Sequence, residues 1–162
     1  MNYHTTSIMN VALVGGGIFC KEILEKTTFD PKQEGINAAI VAVADPDPES
    51  PGMVLAGKMD LLTFTDFHEL YDSQYNIHLI IILTPEQYLF EDILKTRPPH
   101  IRLMAYNVFR IFWEAIGKEE QKLRQRTKEM ETILNGIQEF ILVITPEKEI
   151  IDVNETFLEK MC

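Results

Sequence analysis

No apolar run in this chain approaches the roughly 18 residues that a membrane-spanning helix needs, so no membrane insertion is expected. Cysteine is scarce. Cys20 and Cys162 are the whole complement, too few for a disulfide framework or a thiolate metal set, and a reducing cytoplasm is the expected compartment. Cations are in deficit: 15 Lys and Arg against 25 Asp and Glu leave a net charge of −10. A nucleic-acid partner is not expected from that balance, because counterion release needs clustered cations. His4, His68, His78 and His100 share no metal-ligand spacing and read as surface or hydrogen-bonded side chains. No nucleophile and base stand at a spacing that defines a catalytic pair. Met1 to Asn10 lack the basic flank and apolar core of a secretory leader, and no internal repeat is visible.

What the chain does have is an apolar fraction of 46%, enough for the packed core of one domain with or without appendages. Its organising stretch is Met9-Asn-Val-Ala-Leu-Val-Gly-Gly-Gly-Ile-Phe-Cys-Lys-Glu-Ile-Leu24. The apolar run Val11 to Val14 enters three glycines, and Ile18, Phe19, Ile23 and Leu24 then share one face of a helix over 18–27. Such a strand–turn–helix unit can hold a phosphate, since glycine backbone lets a ligand approach and the helix start presents free N–H groups.

The pattern then repeats. Ile36 to Ala44 is nearly continuous in small and branched apolar residues, as suits a parallel strand covered on both faces, and stops at Asp45-Pro-Asp-Pro48. A short helix over 52–58, a brief strand over 62–64 and a helix over 65–72 capped by Thr65 or Asp66 follow. Ile77 to Leu83 is the most apolar strand and is expected at the centre of the sheet. Thr84-Pro-Glu86 opens the next helix with Pro85 in its first turn, Pro98-Pro99 breaks it, and Ile101 to Ala105 is a fifth strand. Alternating strands and helices imply a parallel sheet with right-handed crossovers, in the order 3-2-1-4-5 if the chain reverses after the third strand. The ligand cleft is then expected between the carboxyl ends of the first and fourth strands.

Residues 107–135 differ in kind. Phe109, Ile116, Leu123, Met130 and Ile137 recur every seven positions, while the second seam alternates Phe112, Glu119, Arg126 and Ile133. Nine of the fifteen residues from Gly117 to Glu131 are charged. This segment is expected to be one long helix, packed on its own domain over Phe109 to Ile116 and pairing in parallel with a second copy beyond. Residues 136–162 read as a hairpin, Phe140 to Ile144 with Ile150 to Val153, and a short helix from Asn154 to Met161. Two strands and a helix make no independent core, so further chain is expected after Cys162.

Two resemblances bear on these residues. Val14-Gly-Gly-Gly-Ile-Phe-Cys20, Val43-Ala-Asp-Pro-Asp47, Thr65-Asp-Phe-His-Glu-Leu70 and Leu83-Thr-Pro85 resemble, in order and spacing, the nucleotide-binding half of the glucose–fructose oxidoreductase and inositol dehydrogenase family. Ile133-Leu-Asn-Gly-Ile137, Ile141-Leu-Val-Ile144, Ile150-Ile-Asp-Val-Asn154 and Phe157-Leu158 resemble the opening of a PAS sensor domain. Together they imply a Rossmann-like domain over 1–106, a signalling helix over 107–135 and the start of a PAS domain over 136–162. That arrangement looks like the N-terminal part of a bacterial PAS-containing sensor histidine kinase. The catalytic half of the oxidoreductase family has no counterpart here, so no hydride-transfer reaction carries over.

The resemblance assigns NAD as the ligand. Gly15 and Gly17 would shape the turn and admit the pyrophosphate, with the amides of Ile18 and Phe19 donating to it. Asp45 would accept from both adenosine ribose hydroxyls and repel a 2′-phosphate, favouring NAD over NADP. Thr84 and Pro85 would line the cleft near the second ribose or the nicotinamide. Each has a plainer role beside this one: a tight strand–helix turn for the glycines, a strand-terminal turn for Asp45, a helix start for Thr84 and Pro85. Cys20 stands where the dinucleotide fingerprint has its third small residue, and is read as packed against the sheet rather than as a redox sensor. The expected function is sensing of NAD(H) or a related nucleotide, transmitted by a homodimeric helix to downstream PAS and transmitter modules. The alternatives are a ligand-free dimerisation or docking scaffold, and the nucleotide-binding half of an NAD-dependent oxidoreductase.

Overall fold

The computed structural model describes residues 8–27, 38–136, 142–147 and 149–153. Its elements run β1 (Met9–Val14), α1 (Ile18–Thr27), β2 (Ala38–Ala44), α2 (Pro51–Lys58), β3 (Leu62–Phe64), β4 (Leu79–Ile82), α3 (Gln87–Thr96), β5 (Arg102–Met104), α4 (Tyr106–Gly136), β6 (Leu142–Ile144) and β7 (Ile150–Val153). The chain divides into two compact units, Met1–Phe112 and Trp113–Cys162.

The first unit is a five-stranded sheet in the order β3-β2-β1-β4-β5. Every pairing in it is parallel, with Leu13 of β1 facing Val43 of β2 on one side and Ile81 of β4 on the other. Because β1 leads outward to β2 and β4 leads outward to β5 in the opposite direction, right-handed crossovers place α1 and α3 on opposite faces. The alternation along each strand agrees. Ala12, Val14, Ala42, Ala44, Ile80 and Ile82 pack in one cluster with Ile93 of α3 and with Leu70 and Ile77. Leu13, Val43 and Ile81, one residue out of phase, point to the other face, whose cover is Cys20, Ile23 and Leu24 of α1 with Met53 and Ala56 of α2, all buried. Strands buried on both sides account for their unbroken apolar character.

Two local expectations change. The segment after β3 forms not an α-helix but two short 3₁₀ turns, Phe67–Tyr71 and Ser73–Tyr75. The side chains of Asp66 and Asp72 accept the N–H groups two residues on, from His68 at 2.9 Å and Gln74 at 3.0 Å, and these local bonds start tight turns in place of a longer helix. Pro85 lies outside α3 altogether, one residue before its cap Glu86, in a turn where Thr84 Oγ1 accepts the Glu86 N–H at 3.4 Å.

α4 is a continuous helix of 31 residues. At its start Phe109 is half-buried, whereas Phe112 is 59% exposed, so packing on the first unit fades sooner than the apolar pattern suggests. In the second unit β6 and β7 pair antiparallel, Val143 opposite Asp152. Phe140, Ile141, the loop Phe29 to Gly35 and the helix expected over Asn154 to Met161 fall outside the described residues.

Candidate functional site

β1 ends in the glycine turn, and each glycine there meets a different neighbour. Gly15 adopts φ +108°, a conformation that favours glycine, and its N–H donates to Ala44 O at 2.9 Å. Gly16 is buried beneath α2: a β-carbon there would overlap Ser50 Oγ and lie 2.8 Å from Met53 Cγ. Its N–H donates to Asp45 Oδ2 at 2.6 Å. Gly17 has open space, with nothing within 4 Å of a β-carbon built on it. The first helical bond of α1 is Lys21 N–H to Gly17 O at 3.2 Å, so the amide of Ile18 precedes the helical ladder.

A cavity of about 590 Å³ lies at the carboxyl ends of the strands, within the usual size for small-molecule sites. Of the residues singled out in the sequence, Gly15, Gly17, Phe19, Asp45, Thr84 and Pro85 line it together. They arrive from β1, β2 and β4, whose ends meet where the strand order reverses, the place at which open α/β sheets leave a crevice. Ile18 is not among the lining residues; its side chain is 69% exposed.

Asp45 closes β2 with its carboxylate turned across the sheet end. Oδ2 takes the Gly16 amide, Oδ1 takes the Asp47 amide at 2.8 Å, and each oxygen keeps a second lone pair for another donor. Three further carboxylates border the cavity, those of Asp47, Asp66 and Glu86. Backbone and ring N–H groups of His68 hold the Asp66 carboxyl below the usual range, with His68 Nδ1 2.7 Å from Asp66 Oδ1. Glu86 Oε2 accepts from the Tyr88 hydroxyl at 2.6 Å, which pushes that phenol above its ordinary value.

Cys20 is fully buried. Its thiol is pushed up to about 12, first by burial and then by the Asp45 charge, so it stays neutral at physiological pH despite its place at a helix start. What makes room for it is Gly52 of α2, where a β-carbon would come within 2.7 Å of both Cys20 Cβ and Sγ. A cysteine at the third small position of the glycine turn is thus accommodated by a glycine on the facing helix.

Asp47, Asp66, Glu86 and Tyr88 on the cavity, and Gly16 and Gly52 beneath the turn, are the residues that sequence reasoning missed. Asp66 stood inside a quoted motif as a helix cap, and Pro51-Gly52 just inside a helix start was the only signal for close helix–helix approach. Tyr88 and Glu86 carried none, since their position depends on where the turn after β4 ends.

Among the described residues no group of side chains could hold a metal ion, and no helix is long and apolar enough to cross a membrane. The first unit is a Rossmann-like α/β domain with its crevice at the switch point of the sheet. No protein-family model matches the chain, and no curated protein matches it either.

Proposed function

We propose that the first unit senses NAD(H) or a related adenine nucleotide and that α4 carries the result to a PAS-type module and a transmitter beyond it. In this reading residues 1–106 descend from the nucleotide-binding half of the glucose–fructose oxidoreductase and inositol dehydrogenase family, and the protein belongs with bacterial PAS-containing sensor histidine kinases. The observation that carries it is the position of Phe19. Its side chain lines the cavity, and its ring packs against Tyr106 and Phe109 in the first turns of α4, with centroids 6.3 and 5.9 Å apart. A ligand that orders the glycine turn therefore acts on a residue already touching the output helix. The ligand shifts output only by binding two packings of α4 unequally. Homodimerisation through 107–135 supplies the second packing partner.

Asp45 supports a second reading. Both its oxygens already accept amides within the turn, as suits a scaffold that holds the strand ends together with no ligand. Thermal unfolding with NAD, NADH, NADP and adenosine nucleotides separates the two. A ligand at one hundred times its dissociation constant adds about 2.7 kcal/mol, roughly 5–10 °C in a chain of this size. A rise with NAD or NADH and none with NADP is expected for the sensor; no rise with any nucleotide at millimolar concentration turns the assignment to the scaffold.

A further inference from the structure

The charges around the cavity are all of one sign. Asp45 and Asp47 stand at the end of β2, Asp66 beyond β3 and Glu86 before α3, and the described lining residues include no Lys, Arg or His. The positive pole in reach is the start of α1, where helix amides and dipole favour an anion. The start of α1 is therefore the place in the cavity best suited to a dinucleotide's pyrophosphate. With Asp45 on the adenosine side, the other half of the ligand arrives on the β4 side, beside Thr84, Glu86 and Tyr88.

This geometry bears on the redox form. Oxidised and reduced dinucleotides share their adenosine and pyrophosphate; they differ in that the oxidised nicotinamide ring is a cation and the reduced ring is neutral. Only groups at the nicotinamide end can read that difference. Glu86 is the one described lining carboxylate on the β4 side, and it is joined to Tyr88 by a 2.6 Å hydrogen bond at the start of α3. The Tyr88 ring is 71% exposed, free of the packing that would forbid a ring stacked on it. A carboxylate and an electron-rich aromatic face together favour a planar cation over its neutral counterpart.

Resting on the nucleotide reading above, we propose that the site prefers NAD⁺ to NADH, with the pyridinium ring stacked on the Tyr88 ring beside the Glu86 carboxylate. The sensor then responds to the oxidised pool, and reduction of the ligand weakens its hold on the first unit.

Calorimetric titration of the full chain with NAD⁺ and with NADH at one ionic strength tests this. NAD⁺ should bind about tenfold tighter or better, equivalent to about 1.4 kcal/mol. Glu86→Gln should bring the ratio of the two affinities close to unity. Glu86 is exposed, so this variant should melt with the wild type. Tyr88→Leu, which removes the ring and leaves the carboxylate, should reduce the ratio in part. Equal affinities, tighter NADH, or a ratio untouched by Glu86→Gln overturns the redox preference and leaves the nucleotide site standing. Binding of neither form at millimolar concentration overturns both.

Discussion

The amide of Gly52 donates to the carbonyl of Gly16 at 2.6 Å, tying the first turn of α2 directly to the glycine turn of β1. Backbone reaches backbone here only because neither residue has a side chain. A β-carbon on Gly52 would come within 2.7 Å of Gly16 O as well as of Cys20. Gly52→Ala is therefore expected to cost about 1–3 kcal/mol through overpacking. Combining it with Cys20→Ala should recover only part, because the Gly16 carbonyl remains in the way. Gly57, on the same helix, has nothing within 4 Å of its would-be β-carbon, and Gly57→Ala should raise stability by about 0.5–1 kcal/mol. Urea denaturation of the three variants checks the contrast.

The neighbouring glycines should divide stability from binding. Gly16→Ala meets Ser50 and Met53 and should lower the melting temperature. Gly17→Ala meets nothing in the folded chain, so its melting temperature without ligand should stay near the wild-type value. The same methyl would stand where a pyrophosphate approaches the α1 amides, and nucleotide-induced stabilisation should fall by about 1.4 kcal/mol or more, a tenfold loss of affinity. Undiminished stabilisation in Gly17→Ala would remove the pyrophosphate from this turn.

Cys20 should behave as a core residue. With its thiol raised from 9.0 to about 12, it should react with a disulfide reagent at pH 8 only on unfolding, measured in a Cys162→Ser background. The sign of the pH effect follows from the same shift. The folded chain holds the thiol neutral, so this contribution to stability is complete below pH 9 and is lost as pH rises from about 9 towards 12, where the unfolded chain ionises first. The difference in unfolding free energy between wild type and Cys20→Ala should shrink over that range.

Much of this domain was legible because its signals are long and repeated. Runs such as Ala42 to Ala44 and Ile80 to Ile82 are buried on both faces, and a strand of that kind leaves no polar phase to confuse with a helix. The turn Val14 to Gly17 announced itself by composition. Legibility fell where side chains compete with the backbone. Asp66 and Asp72 cap 3₁₀ turns of only five and three residues, and a periodicity argument that counts apolar faces sees only Phe67, Leu70 and Tyr71 at helical spacing. Tertiary pairings were beyond reach for a different reason. Cys20 and Gly52 answer one another across 32 residues, and nothing local to either states the distance at which α1 and α2 pack. The negative character of the cavity was countable in principle, yet Asp47, Asp66 and Glu86 meet only once the strand ends are brought together.

The heptad seam on α4 makes a prediction independent of any ligand. Leu123 and Met130 are 61% and 60% exposed, and Ile116 and Ile133 are similarly bare. If the helix pairs with a second copy through this seam, Leu123→Glu should yield monomers by sedimentation without lowering the melting temperature of the α/β unit. Glu119 and Arg126 interrupt the second seam, where Glu119 is engaged by Lys122 at 2.7 Å on its own helix. Replacing both by leucine should tighten the dimer at least about tenfold. A dimer indifferent to all three changes would have to be built elsewhere.

The contact between Phe19 and Phe109 allows binding and transmission to be separated. Phe109 packs on Phe19 but does not line the cavity, so Phe109→Ala removes a ring from the linkage and leaves the ligand's surroundings in place. Nucleotide affinity should change by no more than about threefold, under 1 kcal/mol. The signal should not survive. With a spin label at Lys128, an exposed position on α4, the distance between labels in the dimer should change on nucleotide binding in the wild type and stay fixed in Phe109→Ala. A ligand moves an equilibrium only as far as it distinguishes the two states, and a helix that has lost its Phe109 contact with Phe19 presents states the ligand distinguishes less. A label distance that still responds in Phe109→Ala would route the coupling through Tyr106 alone or away from α1 entirely, and Tyr106→Ala in the same background would tell which.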